Sequence, residues 1–181
     1  MRRFLAFLLT GKGRLADRPF QFWDQAIDSQ QKDGLMVLFF SVVLKELLEK
    51  GRDYPWPKPA RCPRCGACRL WGHGYVSGFF DGFNQSLLLK RYRCPDCRSV
   101  MRCRPAGYFK RFQSSIETIR ESIRSKAEKG RWLQGISRSR QGHWWRALKR
   151  RVCAVFGNGR PPLKGFGDLQ SLGHNPVSRA I

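Results

Sequence analysis

Apolar and polar positions follow several distinct periods along this chain, and each period predicts an element. Phe20, Trp23 and Ile27 recur at helical spacing and predict a short helix over residues 19–31. Asp33 and Gly34 open a second predicted helix, with Asp33 as N-cap, that runs through Leu35-Met36-Val37-Leu38-Phe39-Phe40 to Lys50. Gly51 then stands where a helix ends. The first half of this helix is apolar all round, which predicts burial on several sides, and Glu46 and Lys50 form an i,i+4 pair on the polar half. The prolines at 55, 57 and 59 forbid helix and predict an extended linker over residues 54–60.

Strand character follows in Gly74-Tyr75-Val76, in Leu87-Leu88-Leu89-Lys90-Arg91-Tyr92-Arg93 and in Val100-Met101-Arg102-Cys103. Helical spacing returns with Phe112, Ile116, Ile119 and Ile123. Ser114 and Glu117 have capping-box spacing, and the stripe predicts a helix to Lys129 with Gly130 as its stop. After a turn holding Trp132, Leu133 and Gly135, Ser137 can cap a helix over about residues 138–151. On it Trp144, Trp145, Leu148 and Val152 share one face, while Ser139, His143, Arg146 and Arg150, flanked by Arg140 and Lys149, share the other. Residues 156–181 read as a flexible tail.

Cysteine spacing changes the middle of this picture. Cys62-Pro63-Arg64-Cys65 and Cys94-Pro95-Asp96-Cys97 are two C-x-x-C turns separated by 28 residues. Two such turns offer four thiolates to one ion, the closed tetrahedral shell that structural zinc takes. The expected metal ligands are therefore Cys62, Cys65, Cys94 and Cys97, with zinc as cofactor, in a zinc ribbon over residues 61–110. Cys68 and His73 are possible substitute ligands, and Cys103 and Cys153 are expected to be buried as small hydrophobes. Arg61, Arg64, Arg93 and Arg98 beside the ligands offset the net negative charge of a zinc–tetrathiolate centre.

Charge points to the partner. The chain has 181 residues, 35 Lys plus Arg, 13 Asp plus Glu and a net charge of +22. Residues 61–110 carry +8 and residues 111–151 carry +9, so the middle of the chain holds most of the excess. Nucleic acid is the first candidate for a surface this basic. The expected DNA contacts are Arg138, Ser139, Arg140, His143, Arg146, Lys149, Arg150 and Arg151 on the last predicted helix. An RNA-binding alternative uses Tyr75, Phe79, Phe80, Phe83 and Tyr92 as stacking groups. A further alternative makes residues 35–48 a self-association or partner-protein surface. The apolar runs at residues 4–9 and 35–44 are too short for a secretory signal or a spanning helix, so a cytoplasmic protein without membrane attachment is expected.

The order of these motifs resembles that in a known family. Cys62-Pro63-Arg64-Cys65-Gly66 followed by Lys90-Arg91-Tyr92-Arg93-Cys94-Pro95-Asp96-Cys97 is similar to the zinc ribbon at the head of bacterial insertion-sequence transposases and related mobile-element proteins. Gly135-Ile136-Ser137-Arg138-Ser139-Arg140-Gln141 with Trp144-Trp145 resembles the helix-turn-helix that follows it. The resemblance covers about residues 60–152 and implies DNA binding, by an accessory or stand-alone binder or by a truncated transposase, with a partner transposase as a possible protein partner. A catalytic site is not expected. Beyond residue 60 the only carboxylates are Asp81, Asp96, Glu117, Glu121, Glu128 and Asp168, and 26 residues remain after Val155. The fold class expected is α+β, divided as an N-terminal helical segment (1–53), linker (54–60), ribbon (61–110), basic helical unit (111–155) and tail (156–181).

Overall fold

The computed structural model describes residues 35–178, an α+β arrangement of one four-stranded sheet and four helices. The predicted helix over 19–31 and the Asp33 cap lie outside the described residues. Strands β1 (Leu35–Phe40), β2 (Trp71–Gly78), β3 (Leu87–Arg93) and β4 (Val100–Pro105) form the sheet in the order β1-β4-β3-β2. β2–β3 and β3–β4 pair antiparallel, and β1 lies parallel to β4.

The sheet corrects the reading of residues 35–40 as the first half of a helix. An apolar run buried on both faces suits a strand as well as a helix, and periodicity cannot separate them. Met36, Leu38 and Phe40 pack into the core on one side of the sheet, and Val37 is buried on the other. The predicted helix survives only as its polar half, α1 (Leu44–Lys50), which ends at Gly51 and keeps the Lys50–Glu46 pair at 2.9 Å. Leu47 is its one buried residue. The proline-rich segment after it packs as well, with Trp56 buried in the core that β1, β3 and β4 share.

Helices α2 (Ile116–Lys129), α3 (Arg138–Phe156) and α4 (Pro162–Ser171) build a second core from Phe112, Ile119, Ile123, Trp144, Leu148, Val152, Phe166, Leu169 and Val177. The predicted stripes of α2 and α3 both face inward, with Ile116 and Trp145 only half-buried. Ser137 caps α3 as expected, its side chain accepting from the Arg140 amide. α3 runs five residues beyond the predicted end at 151. The cap of α2 is Ser115, not Ser114: its hydroxyl accepts from the Thr118 amide at 3.0 Å, while the Ser114 hydroxyl turns to Asp81. The segment read as a flexible tail contains α4. Its Gly165 lies so close to α3 that a Cβ there would come within 2.5 Å of Val152 Cγ2.

One polar knot joins the two cores. Asp81 Oδ2, in the turn after β2, accepts from Ser114 Oγ at 2.5 Å and from Arg140 Nη1 at 2.7 Å. The Asp81 amide donates to the Gln113 carbonyl at 3.0 Å. Asp81→Ala strands a half-buried guanidinium and a buried serine hydroxyl, so the urea midpoint is expected to fall by an amount equivalent to about 1–3 kcal/mol. A shift within error would show that this knot does not hold the two cores together.

Candidate metal centre and basic surface

Strand register brings the two cysteine turns together. Trp71 pairs with Arg93 and Arg93 with Val100, so the start of β2, the end of β3 and the start of β4 meet at one end of the sheet. Both C-x-x-C turns project from that end. The Sγ atoms of Cys62, Cys65, Cys94 and Cys97 all lie within 4.8 Å of one another, an arrangement that could hold a metal ion. Cys62 and Cys97 are 3.6 Å apart and Cys65 and Cys94 3.5 Å apart. A tetrahedral shell with metal–sulfur bonds of about 2.3 Å has sulfur–sulfur edges of about 3.8 Å, close to both distances. Cys68 and His73 stand outside this cluster. Cys103 is buried as expected, but Cys153 is exposed on α3, where its thiol donates to Asn158 Oδ1.

The two turns share a backbone shape. The Gly66 amide donates to the Cys62 carbonyl at 2.8 Å. The residue after the second cysteine takes a left-handed conformation in each turn, Gly66 at φ 76° and Arg98 at φ 59°. Glycine carries this at no steric cost, and arginine does not. Ser99 supports the cluster from outside: its hydroxyl lies 3.0 Å from Cys97 Sγ and accepts from Arg64 Nη1 at 3.4 Å. The Ser99 hydroxyl bond is the main reason the Cys97 thiol is lowered to about 6. The Ala67 amide favours the Cys65 thiolate, but burial and the three other thiols outweigh it and push Cys65 up to about 12. Four crowded thiols thus compete for negative charge, a conflict that a bound cation removes.

The eight residues expected to meet DNA separate into two groups. Arg138, Ser139, Arg146, Lys149 and Arg150 are exposed. Arg140 is tied to Asp81 and Ser114, His143 Nε2 lies 3.0 Å from Ser178 Oγ, and Arg151 donates to the Asn175 carbonyl. The segment after α4 therefore folds back over part of α3. Beside the exposed group, Lys126, Trp132, Arg138, Ser139, Gly142 and Arg146 line an open groove of ≈ 490 Å³. Lys126 Nζ sits 4.9 Å from the centre of the Trp132 ring.

The aromatic set considered for RNA stacking is mostly committed to packing. Phe80 and Tyr92 are buried, Tyr75 and Phe83 are half-buried, and Phe79 alone stands open at 60% exposure. The apolar run over residues 35–48 is likewise largely used by the sheet, leaving Val43 and Leu48 exposed. Among the described residues no helix is long and apolar enough to cross a membrane.

Sequence reasoning missed Gln141. Its side chain is buried and makes four hydrogen bonds. Oε1 accepts from Ser122 Oγ at 2.7 Å and from the Leu133 amide at 3.0 Å, and Nε2 donates to the carbonyls of Leu133 and Ile136, each at 2.9 Å. This clamp fixes the eight-residue connection between α2 and α3, residues 130–137. No family model, no curated protein and no solved structure matches the chain.

Proposed function

We propose that the protein is a zinc-dependent DNA-binding protein, a transposase-associated or truncated-transposase recognition module without catalytic activity of its own. Zinc is the metal proposed, because four thiolates with a tetrahedral spacing and no open position suit a structural zinc site. The metal holds β2, β3 and β4 as a zinc ribbon, and α2 and α3 serve as a helix-turn-helix-like unit with a long turn. A reducing, cytoplasmic setting agrees with seven cysteines that are all free.

The observation that carries the DNA reading is the outer face of α3. Its 19 residues include six Lys or Arg and no acid. Arg138, Arg146, Lys149 and Arg150 reach solvent while Trp144, Leu148 and Val152 anchor the opposite face. A rigid helix that presents Arg and Ser from a packed support can enter the major groove, with Lys149 and Arg150 on phosphates. The double variant Arg146→Gln/Arg150→Gln is expected to weaken duplex binding at least about tenfold in a fluorescence-anisotropy titration and to flatten its salt dependence. Lys58→Gln, an exposed lysine away from α3, is the control and should bind as the parent does. Equal affinity of the double variant and the control would remove α3 from the interface.

A further inference from the structure

A second concentration of positive charge lies on the sheet, away from the outer face of α3. Register places Arg91 of β3 directly opposite Arg102 of β4. Arg104 is two residues further along β4, so all three share the face opposite Tyr92, Met101 and Cys103. Like charges placed opposite one another weaken a sheet. The burial is substantial too, since Arg104 is 8% exposed. The Nε atoms of Arg91, Arg102 and Arg104 are all buried without a hydrogen-bond partner.

No carboxylate among the described residues pairs with these three arginines; Arg104 has the face of the Phe80 ring, 5.2 Å from its guanidinium carbon. The bond recorded for Arg104 goes from Nη2 to the Phe112 carbonyl, a neutral acceptor. The carboxylate of Asp81 is already engaged by Ser114 and Arg140. Burial, with Arg91 and Arg111 nearby, holds Arg102 below the ordinary arginine value. Burial first and Arg102 second push Arg104 down to about 10. Of the three, Arg104 opens onto a cleft of ≈ 240 Å³ whose lining also includes Arg111, Arg140, Ser114 and the exposed ring of Phe79, while Arg91 and Arg102 continue the basic row along the sheet beside it. At about 30 Å³ for one water, the cleft has room for a phosphate group with part of its hydration.

We propose that Arg91, Arg102 and Arg104, extended by Arg111 at the cleft, form a phosphate-binding face that seats backbone phosphates of the nucleic acid. Phosphate oxygens would meet the idle guanidinium donors, and their negative charge would relieve the repulsion between the paired arginines. Phe79 at the rim offers a ring on which a base next to the seated phosphate can stack. The inference rests on the DNA reading for the identity of the ligand, but not for the existence of the site.

The test uses the metal-loaded full chain, its Arg102→Gln and Arg91→Gln variants, and Lys58→Gln, an exposed lysine outside the sheet and α3, as a control for general charge loss. Thermal midpoints are read with and without tripolyphosphate, and duplex DNA is titrated over a salt series. The parent midpoint should rise with tripolyphosphate. Each sheet variant should lose half or more of that rise, and Lys58→Gln should keep it. DNA affinity in each sheet variant should fall about three- to tenfold, with a salt slope lower by about one. If Lys58→Gln reduces the tripolyphosphate shift as much as Arg102→Gln does, the effect is diffuse charge and the site is refuted. If Arg102→Gln destabilises a parent that shows no response to tripolyphosphate, the arginines are structural and the site is again refuted. A parent that fails to bind DNA yet shows a tripolyphosphate shift, lost in Arg102→Gln, keeps the phosphate face and overturns the DNA reading alone.

Discussion

Replacing Cys94 by alanine, or stripping metal from the parent with a chelator, is expected to melt the sheet. Cys94 is fully buried and Cys62 nearly so, both within the core of Trp56, Leu70, Tyr92 and Met101. The strands they join are short, and β3 meets β4 through only three paired positions. A sheet of this size would gain much of its stability from an ion bound by the four thiolates, since structural zinc sites contribute about 10–16 kcal/mol of apparent binding energy at neutral pH. Losing one ligand opens the shell and leaves three thiols competing for charge in a partly buried site. Cys94→Ala should therefore lose its bound metal by native mass spectrometry and its dispersed strand amide signals by NMR. Cys68→Ala should keep both, because Cys68 is exposed and outside the cluster. A Cys94→Ala protein with an intact sheet would show that packing alone suffices.

Gln141→Leu is expected to cause the largest loss in the helical unit, although it exchanges one buried side chain for another of similar size. The amide of Gln141 satisfies the Leu133 amide, the carbonyls of Leu133 and Ile136, and the Ser122 hydroxyl. Leucine can satisfy none of them. Each buried group left without a partner costs about 1–3 kcal/mol, and local rearrangement will recover part of the total. A net loss on the order of 3–5 kcal/mol corresponds to a fall of about 6–20 °C in thermal midpoint for a chain of this length. Gln134→Leu, on the exposed part of the same connection, should change the midpoint by less than about 2 °C. Equal effects at the two positions would mean that the connection is held by its apolar contacts and not by the glutamine.

What could be read in advance depended on whether the signal was local. The cysteine turns were legible because ligand spacing within a turn is a local property and the repeat of the unit pairs them. The inward stripes of α2 and α3, the Ser137 cap and the stop at Gly130 were legible for the same reason. β1 was not, because an apolar run that is buried on both sides has no period, and its partner β4 lies 65 residues further on. α4 was hidden by the Gly and Pro around Phe166 and Leu169, which read as loop until α2 and α3 supply a surface to pack on. Long-range polar pairs gave no sign at all. Asp81 reaches Ser114 and Arg140 across 33 and 59 positions, which moved the α2 cap by one residue and removed Arg140 from the exposed basic face. The arginine row has the same origin: Arg91, Arg102 and Arg104 look like ordinary strand charges until register sets two of them opposite each other.

The proposal that a metal holds the sheet and that sheet and basic helical unit together bind DNA makes two linked demands on one titration. Duplex DNA should be titrated with the full chain at 50 and 200 mM salt, before and after chelation. Six or more phosphate contacts predict a loss of affinity of about 10³-fold across that salt range, with binding weakened further once the metal is removed. Affinity that barely changes with salt, or that survives chelation undiminished, would contradict the account.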